Sequence, residues 1–159
     1  MNTTGIAHIA ICVNDLEKSL AFYRDILGMT VKRHATQAMA MRPGAGSSAM
    51  YATPHTSRTV AYVYFNTPGV SGPFLVLTSH PGDAVGGTPI KLDQIGISHL
   101  SFVVDDLQAV AEELIAKGVQ IAGDLADFRD AQGQMRTFFV YDPDHILVQF
   151  EQADAGEHP

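Results

Sequence analysis

The chain has 159 residues, 46 % apolar and 17 % charged, the balance of one globular domain with room for a core. Its net charge of −7, with no Lys/Arg cluster to offset it, speaks against a nucleic-acid partner. Cys12 stands alone, so no disulfide framework is available. No apolar run is long enough to span a membrane and no secretory signal is visible, so a soluble, cytoplasmic protein is expected.

The first expected element is a buried strand in Gly5-Ile6-Ala7-His8-Ile9-Ala10-Ile11-Cys12-Val13. Asn14-Asp15 then caps a helix whose apolar face is Leu16, Leu20, Tyr23 and Leu27, and Gly28 stops it. Met29 to His34 reads as a second strand. The Gly, Ser and Pro content of 37–58 predicts a long mobile loop. Its Met39, Met41 and Met50 either line a ligand pocket or fill the core beneath the loop. Thr59 to Phe65 and Phe74 to Thr78 are the next strands, and 80–94 reads as a linker.

At Gly96 the opening stretch returns as Gly96-Ile97-Ser98-His99-Leu100-Ser101-Phe102-Val103-Val104-Asp105-Asp106-Leu107, at an offset of 91 with six of twelve positions identical. A capped helix follows with Leu107, Val110 and Leu114 on one face and Gly118 as its stop. Val119 to Ala122, Met135 to Tyr141 and Ile146 to Glu151 are the remaining strands, with Asp142-Pro143-Asp144 as a tight turn and 153–159 as a flexible tail. The order strand, helix, three strands is thus performed twice, giving an α+β chain of two modules, 4–79 and 95–152, each with one histidine at the same place.

These pieces, with Asp15-Leu16-Glu17-Lys18-Ser19-Leu20-Ala21-Phe22-Tyr23-Arg24-Asp25-Ile26-Leu27-Gly28-Met29 and Phe138-Phe139-Val140-Tyr141-Asp142-Pro143-Asp144, resemble the vicinal oxygen chelate superfamily. That group includes glyoxalase I, bleomycin-resistance proteins, fosfomycin-resistance enzymes and extradiol dioxygenases. The resemblance implies two tandem βαβββ modules, their mixed sheets curling around a cleft that holds one divalent metal. Its first-strand ligands fall on His8 and His99. The last-strand ligand of the second module, usually Glu, falls on Gln149, with Glu151 as a substitute two residues on. The corresponding place in the first module falls near Val76 or Leu77, neither of which binds metal. Two imidazoles suit Fe, Mn, Co, Ni or Zn. The plain alternative for both histidines is a hydrogen-bonded core residue. Tyr141 and His145 are candidate acid–base groups or turn packing. His55 caps the cleft or stands in solvent.

Three ligands, rather than four, lean toward an oxygenase-type, ring-cleavage-like reaction on a small apolar, oxygen-bearing molecule. The alternatives are a metal-dependent lyase or isomerase, and a metal-free binding or resistance protein like the bleomycin group, which Gln149 favours. The expected partners are a small molecule and a second copy of the chain in a homodimer, with neither nucleic acid nor membrane.

Overall fold

A computed structural model describes residues 2–41, 50–66, 72–83 and 85–152. The loop residues Pro43, Gly44, Gly46, Ser47 and Ser48, and the expected tail, lie outside the described residues. The chain divides into two compact units, Met1–Gly87 and Thr88–Pro159. Together they form a mixed α+β fold with one four-stranded and one three-stranded sheet.

In the first unit, β1 (His8–Cys12) leads into α1 (Leu16–Leu20). Asp15 caps the helix, its Oδ1 accepting the N–H groups of Glu17 at 3.1 Å and Lys18 at 3.2 Å. The helix then widens into a π-helix over Ala21–Ile26, where the Leu27 N–H donates to the Phe22 carbonyl at 3.0 Å. Leu16, Leu20 and Tyr23 are buried as the spacing predicts. The extra residue in the turn also buries Phe22 and leaves Leu27 half-buried. β2 (Thr30–Ala38), β3 (Ser57–Tyr64) and β4 (Phe74–Ser79) complete the sheet in the order β1-β4-β3-β2, with β1 parallel to β4. β2 runs four residues past the expected strand, because its register with β3 holds as far as Ala38 opposite Ser57. The loop methionines divide: Met39 is buried in a 3-10 turn, whereas Met41 and Met50 are exposed.

The second unit has β5 (His99–Val104), α2 (Leu107–Ala116), β6 (Thr137–Tyr141) and β7 (Leu147–Gln152). The sheet order is β5-β7-β6, with β5 parallel to β7. Asp106 caps α2 through the Ala109 N–H at 2.9 Å. Gly28 and Gly118 end the two helical segments at φ values of +74° and +77°, a conformation in which a Cβ is strained. The strand expected at Val119 to Ala122 shrinks to a single bridge between Ile121 and Val140. Asp124 caps a 3-10 turn over Leu125–Phe128 immediately afterwards, which carries the chain off the sheet before pairing extends.

Alternation sets the two faces of each sheet. In the first unit Ala61, Val63, Leu75 and Leu77 are almost wholly buried, and α1 lies against β3 and β4. In the second, Phe138, Val140, Val148 and Phe150 are buried, and α2 lies against β6 and β7. The opposite faces carry the residues of chemical interest. No helix among the described residues is long and apolar enough to cross a membrane.

Candidate functional site

Register assembles the second unit's site. His99 on β5 pairs with Leu147, Ser101 with Gln149, and Val103 with Glu151. Across β7, Leu147 pairs with Tyr141, Gln149 with Phe139, and Glu151 with Thr137. The rows His99–Leu147–Tyr141 and Ser101–Gln149–Phe139 therefore share the face away from α2. At the usual strand spacing His99 and Tyr141 stand about 10 Å apart across two strands.

Gln149 is oriented by its neighbour. Its Nε2 donates to Thr137 Oγ1 at 2.9 Å, and Thr137 Oγ1 donates to the Phe150 carbonyl at 2.9 Å. Because the hydroxyl proton is already committed, the hydroxyl only accepts from Gln149, so the atom facing it is the amide nitrogen. The amide oxygen then makes no hydrogen bond among the described residues. Glu151 shares the face, and its carboxylate accepts from Ser101 Oγ. The His99 ring packs edge-on to Phe139 with centroids 5.5 Å apart, and its Nδ1 lies 2.8 Å from Ser98 Oγ. Its Nε2 has no partner among the described residues.

His8 opens β1 in the first unit, exposed, with its ring 5.5 Å from that of Phe74. It makes no hydrogen bond to another described residue. Ala10 pairs with Val76 as Ser101 pairs with Gln149, so Val76, not Leu77, stands in the first unit where Gln149 stands in the second, and it is apolar. No three His, Cys, Asp or Glu side chains among the described residues group as a metal site. Two imidazoles with unengaged nitrogens and one unengaged amide oxygen are nonetheless donors of a kind that fits a divalent transition metal.

A pocket of about 700 Å³ opens in the second unit, with Phe128, Phe139, Tyr141, His145 and Leu147 as one wall and Thr88–Asp93 as another. Tyr141 and His145 thus meet, their rings 5.4 Å apart at 60°. His145 sits before β7 at φ +63°, in a turn held by Asp142, whose Oδ1 accepts the N–H groups of Asp144 at 2.9 Å and Ile146 at 2.8 Å. The left-handed conformation is costly for a branched or bulky residue and is tolerated here with the imidazole on the pocket wall. His145→Gly is expected to stabilise the protein by about 0.5–1 kcal/mol in urea unfolding, by relieving that backbone. A loss of stability would show that the imidazole holds the turn.

Two features of the site escape a linear reading. The expected linker supplies a pocket wall through 88–93, and Thr137, unremarkable in sequence, orients Gln149. His55 is the reverse case. It does not stand in solvent: its side chain is 8 % exposed, stacked on His80 at 3.8 Å, with Nδ1 2.9 Å from Asp83 Oδ2.

The comparisons with known proteins agree with this architecture. Lactoylglutathione lyase of Schizosaccharomyces pombe is 26 % identical over 159 residues, covering 94 % of this chain but 47 % of its own length, so the chain spans about half of that relative. A glyoxalase family protein from Bacillus cereus superposes with a TM-score of 0.70 at 14 % identity, covering 96 % of this chain and 95 % of the other. A mutant of the fosfomycin resistance protein FosX from Listeria monocytogenes, complexed with Mn(II) and 1S,2S-dihydroxypropylphosphonic acid, gives 0.60 at 17 % identity, covering 98 % and 95 %. Residues 5–150 match the pattern of one family, and the chain belongs to it: the Glyoxalase/Bleomycin resistance protein/Dioxygenase superfamily.

Proposed function

We propose that this chain is a metal-dependent lyase or isomerase acting on a small molecule with two neighbouring oxygen atoms, with His8, His99 and Gln149 as the residues that would hold a divalent transition metal. Such a metal, when bound, polarises substrate oxygens as a Lewis acid. The observation that carries the reading is Gln149: Thr137 turns its amide so that the oxygen is free on the face that bears His99. Ser98 fixes the His99 ring through Nδ1 and leaves Nε2 for the ligand role. Tyr141 and His145 on the pocket wall would exchange a proton with a substrate carbon beside the oxygens, as acid and base. Phe139 and Leu147 keep that wall apolar and exclude water. The lyase named among the relatives supports this choice of reaction class.

A ring-cleaving dioxygenase is the second reading. Val76 at the fourth ligand place favours it, since three protein ligands leave more of the coordination sphere to substrate. Assembly as a homodimer is part of the proposal. In each sheet the histidine strand is an edge, β1 in one and β5 in the other, and an unpaired edge needs cover.

The test is metal analysis after reconstitution with Mn, Fe, Co, Ni and Zn, with turnover of a thiol–2-oxoaldehyde adduct and of a catechol followed in parallel. One metal per chain, lost in His8→Ala and in His99→Ala, with isomerisation of the adduct, is expected. Oxygen uptake with the catechol alone moves the protein to the second reading. No bound metal under any condition makes it a metal-free binder. A monomer in light scattering at micromolar concentration removes the dimer.

A further inference from the structure

Charge is unevenly divided along the chain. Residues 1–87 contain six Lys/Arg and four Asp/Glu, whereas 88–159 contain four and thirteen. The first unit is therefore cationic within an acidic protein. Each of its four carboxylates already has a partner of its own. Asp15 caps α1, and Glu17 lies 3.7 Å from His34. Asp83 holds His55. Asp25 accepts both Nε and Nη2 of Arg24, at 2.6 and 2.7 Å, a pairing that lowers the Asp25 carboxyl pKa.

That open face carries His8 of β1, Phe74 and Val76 of β4, and Tyr62 and Tyr64 of β3. Phe74 joins them: its ring lies 5.5 Å from His8, 5.3 Å from Tyr62 and 4.5 Å from Tyr64, on which it stacks. In a regular strand, consecutive residues point to opposite faces. Between Val31 and Arg33, however, β2 slips register against β3. A bulge of this kind places an extra residue in the strand and re-aims its neighbours. Here it brings Lys32 and Arg33 onto the same face. Lys32 Nζ lies 4.3 Å from the centroid of the Tyr64 ring, and Arg33 Cζ lies 5.3 Å from that of Tyr62. Neither forms an ion pair among the described residues. The aromatic faces hold both cations without neutralising them, so their outward N–H groups stay available.

We propose that this face is an oxyanion subsite, on which Lys32 and Arg33 hold a carboxylate or phosphate group of the ligand. Arg33 offers the planar fork that matches two oxygens, and Lys32 adds a point charge beside it. The ligand is then an anion with an apolar body over Phe74, a narrower class than the small apolar, oxygen-bearing molecule expected from the sequence. The proposal rests on the lyase reading only in taking the His8 face as the one that meets substrate, and its test needs no metal.

Metal-free protein is titrated with sodium phosphate and with sodium acetate, against sodium chloride at matched ionic strength, and backbone amide shifts are followed. Saturable shifts confined to β2 and β3 around Lys32, Arg33, Tyr62 and Tyr64 are expected with phosphate or acetate, and the tighter of the two names the headgroup. Lys32→Gln/Arg33→Gln should weaken that binding by at least about tenfold. Lys32→Arg/Arg33→Lys keeps both charges on the same strand and should retain it. Shifts that follow chloride equally, or a Gln/Gln protein that binds like wild type, overturn the subsite. Failure of metal binding or turnover, with phosphate binding intact, would strike the proposed reaction and leave the subsite standing.

Discussion

Gln149→Glu is expected to tighten binding of a divalent transition metal by at least about tenfold, about 1.4 kcal/mol, in competition with a chromophoric chelator. The substitution keeps side-chain length and replaces a neutral amide oxygen with an anionic one, the donor change that most strengthens a hard ligand for a dication. The partner residue moves the affinity the other way. Thr137→Val removes the acceptor that pins the amide nitrogen, so the oxygen loses its fixed orientation, and a drop of about tenfold is expected from losing that support. His99→Ala should abolish binding. If Gln149→Glu binds no tighter and Thr137→Val no weaker, Gln149 is no ligand and the binder reading gains.

Phe138→Ala should cost about 3–5 kcal/mol in the unfolding transition of the second unit, followed by circular dichroism in urea. Phe138 has no exposed surface and stacks on Phe150 at 5.1 Å and 23°. Alanine there leaves a hole between β6, β7 and α2 that a two-layer packing closes poorly. Phe139, one residue on, faces the pocket side beside His99 and Phe128 and is only half-buried. Phe139→Ala should therefore cost clearly less while enlarging the pocket. The contrast depends on strand periodicity alone, so an equal or larger cost at Phe139 would mean the faces are wrongly assigned.

Much of the architecture was legible because it depends on local chemistry. The stretches around His8 and His99 share their apolar patterning, an Asp cap and a glycine stop, and each becomes the first strand and helix of its unit. The Asp-Pro-Asp turn behaves as its composition says, Asp142 bonding its own backbone. The family was legible for the same reason, since those segments carry it. The candidate ligands were legible as residue types at repeat positions, but their availability was not. Which atom of Gln149 faces outward depends on Thr137, twelve residues away and brought alongside only by the β6–β7 register.

Composition and periodicity alone determined that the chain is an α+β protein with a duplicated unit and a histidine opening each copy, because strands, caps and stops are set within a few residues of themselves. Tertiary structure decided what long-range pairing decides. It ended the strand expected after Gly118 at one bridge and buried His55 against His80. It made 88–93 a pocket wall, and through a single slipped residue in β2 it turned Lys32 and Arg33 onto one face. A side chain's face depends on the register of its strand against a neighbour far away in sequence, and no local pattern records that register.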